Sequence, residues 1–437
     1  MNSLSNILKK GLLLIVFSVM LLPMIQDKFN FIELPSLKGD VKYPSDSTIN
    51  PSKWFSAKYQ EEKETYLNSM FGLRSLYVRL HNQISYSCFN KANANGVIIG
   101  KKHYLYEKSY IDAYTGKDFL GEDSITHTLN KLKFISDTLN KLNKQLIIVF
   151  APGKASYYPE YIPDNYLPVL QSTNYKSFSD GAKKRGLETI DFNKWFMDNK
   201  NKSKHPLYPK YGIHWSIYGC AIAADSIIKK IEDLRHINAP HFYFKTVSLE
   251  KPKDIDYDMA DGMNLLFKLS SFKNAYPNVI IEDSIGKTKP RVLTISDSFY
   301  WGMYNMQISK CFSNHHFWYY NKLVYPESFK QELGTDQLDL ELEVKNHDVI
   351  ILMATEANLK DIGWGSIQNL TKLFTGNYVS ASKQKELKNK MSGYIDLIKK
   401  NNQWLSDTKI RAKEENITLD SMLVLEALWQ IKQKEKK

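Results

Sequence analysis

Cysteine is scarce: 437 residues hold three, Cys88, Cys220 and Cys311. Three cannot all pair, and none shows C-x-x-C spacing, so neither a disulfide framework nor a cysteine zinc site is indicated. Arginine is scarce as well. Lys+Arg number 59 against 47 Asp+Glu, a net +12, and the excess is nearly all lysine. Sequence-specific DNA readers use arginine for two-pronged contacts to base edges. No such cluster is present, and no nucleic-acid partner is expected. Spread-out lysine marks a solvated surface, with at most a weak attraction to an acidic glycan or a membrane. No internal repeat and no low-complexity tract stands out, which argues against a solenoid. What is present is 43% hydrophobic residues, enough for the core of one large domain or two ordinary ones.

The longest apolar run lies at the N-terminus. Lys9 and Lys10 precede Gly11 to Ile25, broken only by Ser18 and Pro23. A positive segment followed by an apolar one is the form of an export signal. The run is shorter than the roughly 20 residues of a comfortable span, so a cleaved signal peptide competes with a retained anchor. Met24-Ile-Gln-Asp-Lys28 offers no small-residue cleavage site, which favours the anchor. The lysines then stay in the cytoplasm and the chain beyond residue 28 is exported. The expected organisation is an anchor over 1–28, a Pro-containing linker over 29–53 (Pro35, Pro44, Pro51), a main domain over 54–382, and a charged helical region over 383–437.

The main domain reads as doubly wound α/β. Gln145-Leu-Ile-Ile-Val-Phe150, Arg291-Val-Leu-Thr-Ile-Ser296 and Asp348-Val-Ile-Ile-Leu-Met353 are short β-branched apolar runs, the form of buried parallel strands. Helical periodicity separates them, as in Ile125, Leu129, Leu132, Ile135 and Leu139. Strand–helix–strand alternation argues a parallel sheet with helices on both faces. Gly96–Gly100 and Tyr104–Tyr106 read as a hairpin around Lys101-Lys-His103.

Open α/β sheets present reactive groups at the carboxyl ends of their strands. Ser298 stands just past such an end, and a serine there is a candidate nucleophile if a base takes its proton. His214, in Gly212-Ile-His-Trp-Ser216, is the best base on offer. It sits in a loop before a helix that Ser216 caps. The plainer reading has Ser298 capping a helix and His214 packing. Several carboxylates lie at strand ends: Asp191, Asp297 beside the serine, and Glu356. Lys154 follows a strand and is a candidate for holding an anion. Tyr300, Trp301 and Tyr304 are candidates for stacking on a sugar, although aromatics make up 13% of the chain and core roles are common. A metal role for His214 would want partner ligands nearby, and none is spaced for it; His315-His316 is the second place to look, and it reads as polar surface of a loop or strand rather than a metal site.

Phe71-Gly-Leu-Arg74, Gly100-Lys-Lys-His-Tyr-Leu105, Ala151-Pro-Gly-Lys154 with Tyr158-Pro-Glu160, Gly212-Ile-His-Trp-Ser216 and Ser296-Asp-Ser-Phe299 occur in that order. The ordered set, over roughly residues 54–380, resembles the SGNH-hydrolase-like domain of the alginate O-acetyltransferase proteins, the AlgJ/AlgX-like group. The resemblance implies a three-layer α/β/α fold with a mostly parallel sheet. It implies an inner-membrane, single-pass protein whose main domain lies in the periplasm or another extracytoplasmic space. It implies acetyl transfer onto a polysaccharide, no cofactor, and a membrane-bound O-acyltransferase partner that supplies the acetyl group. Ser298 then matches the nucleophile and His214 the base. The family's aspartate lies two positions before that histidine, in Asp-x-His-Trp; here the position is Gly212. Three explanations compete. Another acid serves, with Asp191 nearest by strand order; a Ser–His dyad suffices; or the domain is an inert polysaccharide-binding or export-complex scaffold. SGNH proteins also draw oxyanion donors from a Gly and an Asn, and Asn264 is the candidate here.

Overall fold

The computed structural model describes residues 2–39, 44–167 and 171–435. Residues 40–43 of the expected linker and the last two of the lysine-rich tail therefore lie outside the described residues.

Among the described residues, ten strands occur in chain order. A small antiparallel hairpin is formed by β1 (Val97–Ile99) and β2 (Leu105–Glu107). Next come β3 (Gln145–Ala151), β4 (Thr189–Asp191), the antiparallel pair β5 (Phe242–Glu250) and β6 (Asn274–Ile281), then β7 (Arg291–Ser296), β8 (Asn314–Tyr319), β9 (Leu323–Tyr325) and β10 (Val349–Thr355). The central sheet has the order β4-β3-β10-β7-β8-β9. Every pairing is parallel except β8 with β9. The expected mostly parallel sheet is present, with helices on both faces.

Alternation along the strands sorts side chains between two cores. Ile147, Val149, Ile351 and Met353 face a core with the helix Ile217–Arg235 and with Phe192, Phe196 and Trp215. Leu146, Ile148, Phe150, Ile350 and Leu352 face the other, filled by Ile125, Leu129, Leu132, Ile135 and Leu139 of the helix Glu122–Lys141. β3 and β10 are buried on both sides, which is why they read as unbroken apolar runs rather than as alternating ones.

The N-terminal helix Asn2–Phe29 contains the one described segment, Ile7–Phe29, long and apolar enough to cross a membrane. Its C-terminal end is held to the domain. Gly72 meets it so closely that a Cβ there would lie 2.3 Å from the Pro23 carbonyl oxygen. Just beyond, Arg79 Nη2 donates to the Ser36 carbonyl at 3.0 Å, and the Lys38 N–H donates to Asn264 Oδ1 at 2.8 Å. The chain from residue 51 to 89 forms three helices, Pro51–Phe55, Lys58–Met70 and Arg74–Phe89, with Ala57 and Leu73 in left-handed conformation at the breaks. The C-terminal region forms Ala381–Lys400, Asn402–Glu414 and Leu419–Glu435.

Candidate functional site

Ser298 lies two residues past β7, in the turn before the short helix Tyr300–Asn305. Asp297 fixes this turn. Its Oδ2 accepts from the Thr355 N–H (2.9 Å), Thr355 Oγ1 (2.9 Å) and Asn358 Nδ2 (2.8 Å), while Oδ1 accepts from the Phe299 N–H at 3.1 Å. A buried carboxylate with four donors is a stable tie. It binds the serine turn to the end of β10. Asp297 therefore supports the serine from behind and does not contact His214.

His214 arrives from a different layer. Trp215 is fully buried against Phe192, Phe196 and Phe299, so the loop before the helix Ile217–Arg235 is pinned. Ser216 caps that helix: its Oγ accepts from the Gly219 N–H at 3.0 Å. The His214 ring packs on Phe299, centroids 4.8 Å apart. Its Nε2 lies 3.0 Å from Ser298 Oγ, and its Nδ1 lies 2.7 Å from Asp258 Oδ2. The two segments are 84 residues apart in sequence, and the alcohol and imidazole are within hydrogen-bond reach.

The carboxylate at His214 is thus Asp258, which sequence reasoning missed. Its other oxygen, Oδ1, accepts from the Ile213 N–H at 2.9 Å and the Met259 N–H at 2.7 Å. Neighbouring Asp256 is fully buried; its oxygens accept from the Ile217 N–H (3.1 Å) and Asn274 Nδ2 (2.7 Å). Burial pushes its carboxyl up to about 6. The Lys253 N–H donates to the Tyr276 hydroxyl at 2.8 Å, so β6 braces the same loop. The one signal for Asp258 in the sequence is the alternation Asp254-Ile-Asp-Tyr-Asp258 in a lysine-rich chain.

Gly212 explains why the acid comes from there. A Cβ at 212 would lie 2.1 Å from the Ile255 carbonyl oxygen and 3.0 Å from the Asp256 carbonyl carbon. The Asp254–Asp258 backbone occupies the space that a side chain at 212 would need. The Pro209 ring closes in as well, at 2.9 Å, but the nearest obstacle is main chain, which cannot rotate away.

The other sequence candidates fall elsewhere. Asp191 caps the helix Phe192–Asn199 and accepts from the Tyr175 hydroxyl at 2.9 and 3.0 Å; it does not reach His214. Glu356 is buried, takes a 2.5 Å hydrogen bond from Ser156 and another from Asn193, and burial lifts its carboxyl to about 7. Asn264 clasps the main chain of Lys38. Tyr300 is fully buried with its hydroxyl 3.0 Å from His315 Nε2, which makes it a core residue rather than a sugar platform. Trp301 and Tyr304 are half-buried and pack on Phe317, Phe329 and, for Trp301, Tyr325. Tyr320, not anticipated, follows β8 at φ 50°, and its N–H donates to the Ser296 carbonyl at 2.8 Å, which sets it next to the serine turn.

Lys154 is not free to bind an anion. It is 1% exposed, and its Nζ donates to the Gly212 carbonyl at 2.6 Å and the Lys210 carbonyl at 2.8 Å. It therefore holds the main chain of the histidine loop. Burial lowers its ammonium from 10.5 to about 7, partly offset by Asp258 and Asp256. The unfolded chain binds this proton up to about pH 10.5 and the folded chain only to about 7. Stability should then rise with pH through that window and lose this contribution as pH falls through the lower value. Melting temperatures taken across the window should climb in the unchanged chain and flatten in Lys154→Met. Equal slopes would separate Lys154 from the effect.

With this geometry in place, three comparisons bear on it. Residues 97–268 match the family described as SGNH hydrolase-like domain, acetyltransferase AlgX. The matched span contains His214, Gly212 and Asp258 and stops before Ser298. The probable alginate O-acetylase AlgJ of Pseudomonas putida is 20% identical over 176 residues, 40% of this chain and 44% of that protein. The probable alginate O-acetylase AlgJ of Azotobacter vinelandii is 22% identical over 203 residues, 46% of this chain and 50% of that protein. The chain thus spans half or less of the length of these relatives. A solved O-acetyltransferase domain of Pseudomonas putida AlgJ overlays with a TM-score of 0.43 at 15% identity, covering 64% of this chain and 99% of that one.

Proposed function

We propose that this chain is a membrane-anchored O-acetyltransferase acting on an exported or cell-surface polysaccharide through an acetyl-serine intermediate. The observation that carries the reading is the continuous relay Ser298–His214–Asp258, at 3.0 and 2.7 Å. Ser298 Oγ attacks the acetyl carbonyl carbon while His214 Nε2 takes its proton. The donor's oxygen leaves with that proton. A sugar hydroxyl then attacks the acetyl-serine, gives its proton to His214, and the serine regains a proton as the acetyl group departs. Asp258 keeps Nδ1 protonated and stabilises the imidazolium. The Ser298 N–H is the donor we assign to the oxyanion.

The N-terminal helix is read as a retained single-pass anchor with the domain on the extracytoplasmic side. Acetyl groups made in the cytoplasm must then cross the bilayer, which calls for a membrane-bound O-acyltransferase partner. The alternative of an inert scaffold rested on Gly212, and Asp258 removes its main support. The test uses the full chain in detergent with a chromogenic acetyl ester, with and without a glycan acceptor. Ser298→Ala and His214→Ala should each lower turnover by about 10³-fold or more. Equal slow hydrolysis by all three proteins would leave the scaffold reading standing.

A further inference from the structure

At the end of the sheet opposite Ser298, β8 meets the helix Leu340–Asn346 through ionisable side chains. Alternation along β8 sends His315 toward Tyr300 and His316 to the other face. Glu343 and His347 stand one helical turn apart and share a side. Donor atoms of His316, Glu343 and His347 lie within 4.8 Å of one another. His316 Nδ1 is 2.7 Å and His347 Nδ1 3.8 Å from the same oxygen, Glu343 Oε2. Glu343 and His347 are buried.

Two further contacts decide how the cluster reads. His316 Nε2 lies 3.4 Å from Glu327 Oε1, and the other Glu327 oxygen is buried with no hydrogen-bond partner. His347 Nε2 lies 3.3 Å from the Asn314 side-chain amide. His316 thus turns Nδ1 inward and Nε2 toward a carboxylate, the arrangement of a metal-bound histidine with outer-shell support, whereas His347 with a metal on Nδ1 would carry its proton on Nε2 and need the Asn314 amide turned to offer its oxygen. In a tetrahedral zinc site, bonds of about 2.0–2.1 Å put ligand atoms roughly 3.3 Å apart. The 2.7 and 3.8 Å separations straddle that value. His347 Nδ1 also lies 2.7 Å from the Glu343 carbonyl oxygen, a hydrogen bond that metal binding would displace. A helix–strand contact made of apolar groups would need none of this desolvation.

We propose that His316, Glu343 and His347 bind one zinc ion that ties this helix to β8, with Glu327 and Asn314 orienting the imidazoles. Two imidazoles and a carboxylate suit zinc and not magnesium or calcium, which demand a fuller shell of oxygens. The site is independent of the serine relay and of its assignment.

The test is calorimetry on the full chain in detergent, stripped with chelator and then titrated with zinc, magnesium or calcium chloride. One zinc per chain should bind saturably and raise the melting temperature, while magnesium and calcium should not. Glu343→Gln and His347→Gln should each weaken zinc by about tenfold or more. The half-buried His316→Gln gives the same reading should a buried variant fail to fold. No saturable zinc binding, or binding that the folded variants leave unchanged, overturns the site.

Discussion

Asp258→Asn should lower turnover of an acetyl ester by about 10⁴-fold while leaving the fold intact. The size follows from how the side chain is held. Asp258 Oδ1 accepts two main-chain hydrogens, from Ile213 and Met259. An asparagine must keep its carbonyl oxygen there to satisfy both. Its NH₂ is then turned toward His214 Nδ1, where Oδ2 now sits. The imidazole answers by placing its proton on Nε2, and a protonated Nε2 cannot accept from Ser298. The variant is therefore trapped in the wrong tautomer rather than merely weakened. Turnover measured beside a thermal melt checks this. A loss of less than about tenfold in a folded variant would mean that His214 works without its acid.

Gly212→Asp restores the residue that the family pattern places two positions before the histidine, and it should damage the protein. The new Cβ would start 2.1 Å from the Ile255 carbonyl oxygen. Relief requires moving the Asp254–Asp258 main chain, which pulls Asp258 from His214 and Asp256 from the Ile217 N–H. Overpacking of this kind costs about 1–3 kcal/mol, and turnover should fall with it. Gly212→Ala should share the stability loss, since the Cβ alone makes the contact. The Gly212→Asp, Asp258→Asn double variant should not recover. A fully active, fully stable Gly212→Asp would show that the space beside residue 212 is not closed.

These two expectations mark where sequence reading stopped. β3, β7 and β10 were legible because burial on both faces gives each a run dominated by Val, Ile and Leu with no alternating charge. Ser298 and His214 were legible because each follows a strand end or precedes a capped helix. Asp258 was not, because it lies 44 residues beyond His214, past a helix and a strand, in a short irregular loop that carries no period. Asp191 and Glu356 were drawn in by their places at strand ends. Which carboxylate meets a given ring depends on main-chain paths, and those show in the sequence only as the absence of a side chain at 212. The pairing of His316 with Glu343 and His347 was hidden for a similar reason: the ligands come from a strand and a helix, so no short spacing announces them.

The clasp between the first helix and the domain sets a geometric limit on the proposed reaction. Gly72 abuts Pro23, and Ser36 and Lys38 are already fastened to Arg79 and Asn264. Little slack remains between the end of that helix and the body that follows. With the helix in a bilayer, the catalytic cleft would hover at a set height and face one way. A growing glycan would have to pass that fixed station, instead of being sought out by an enzyme on a long leash.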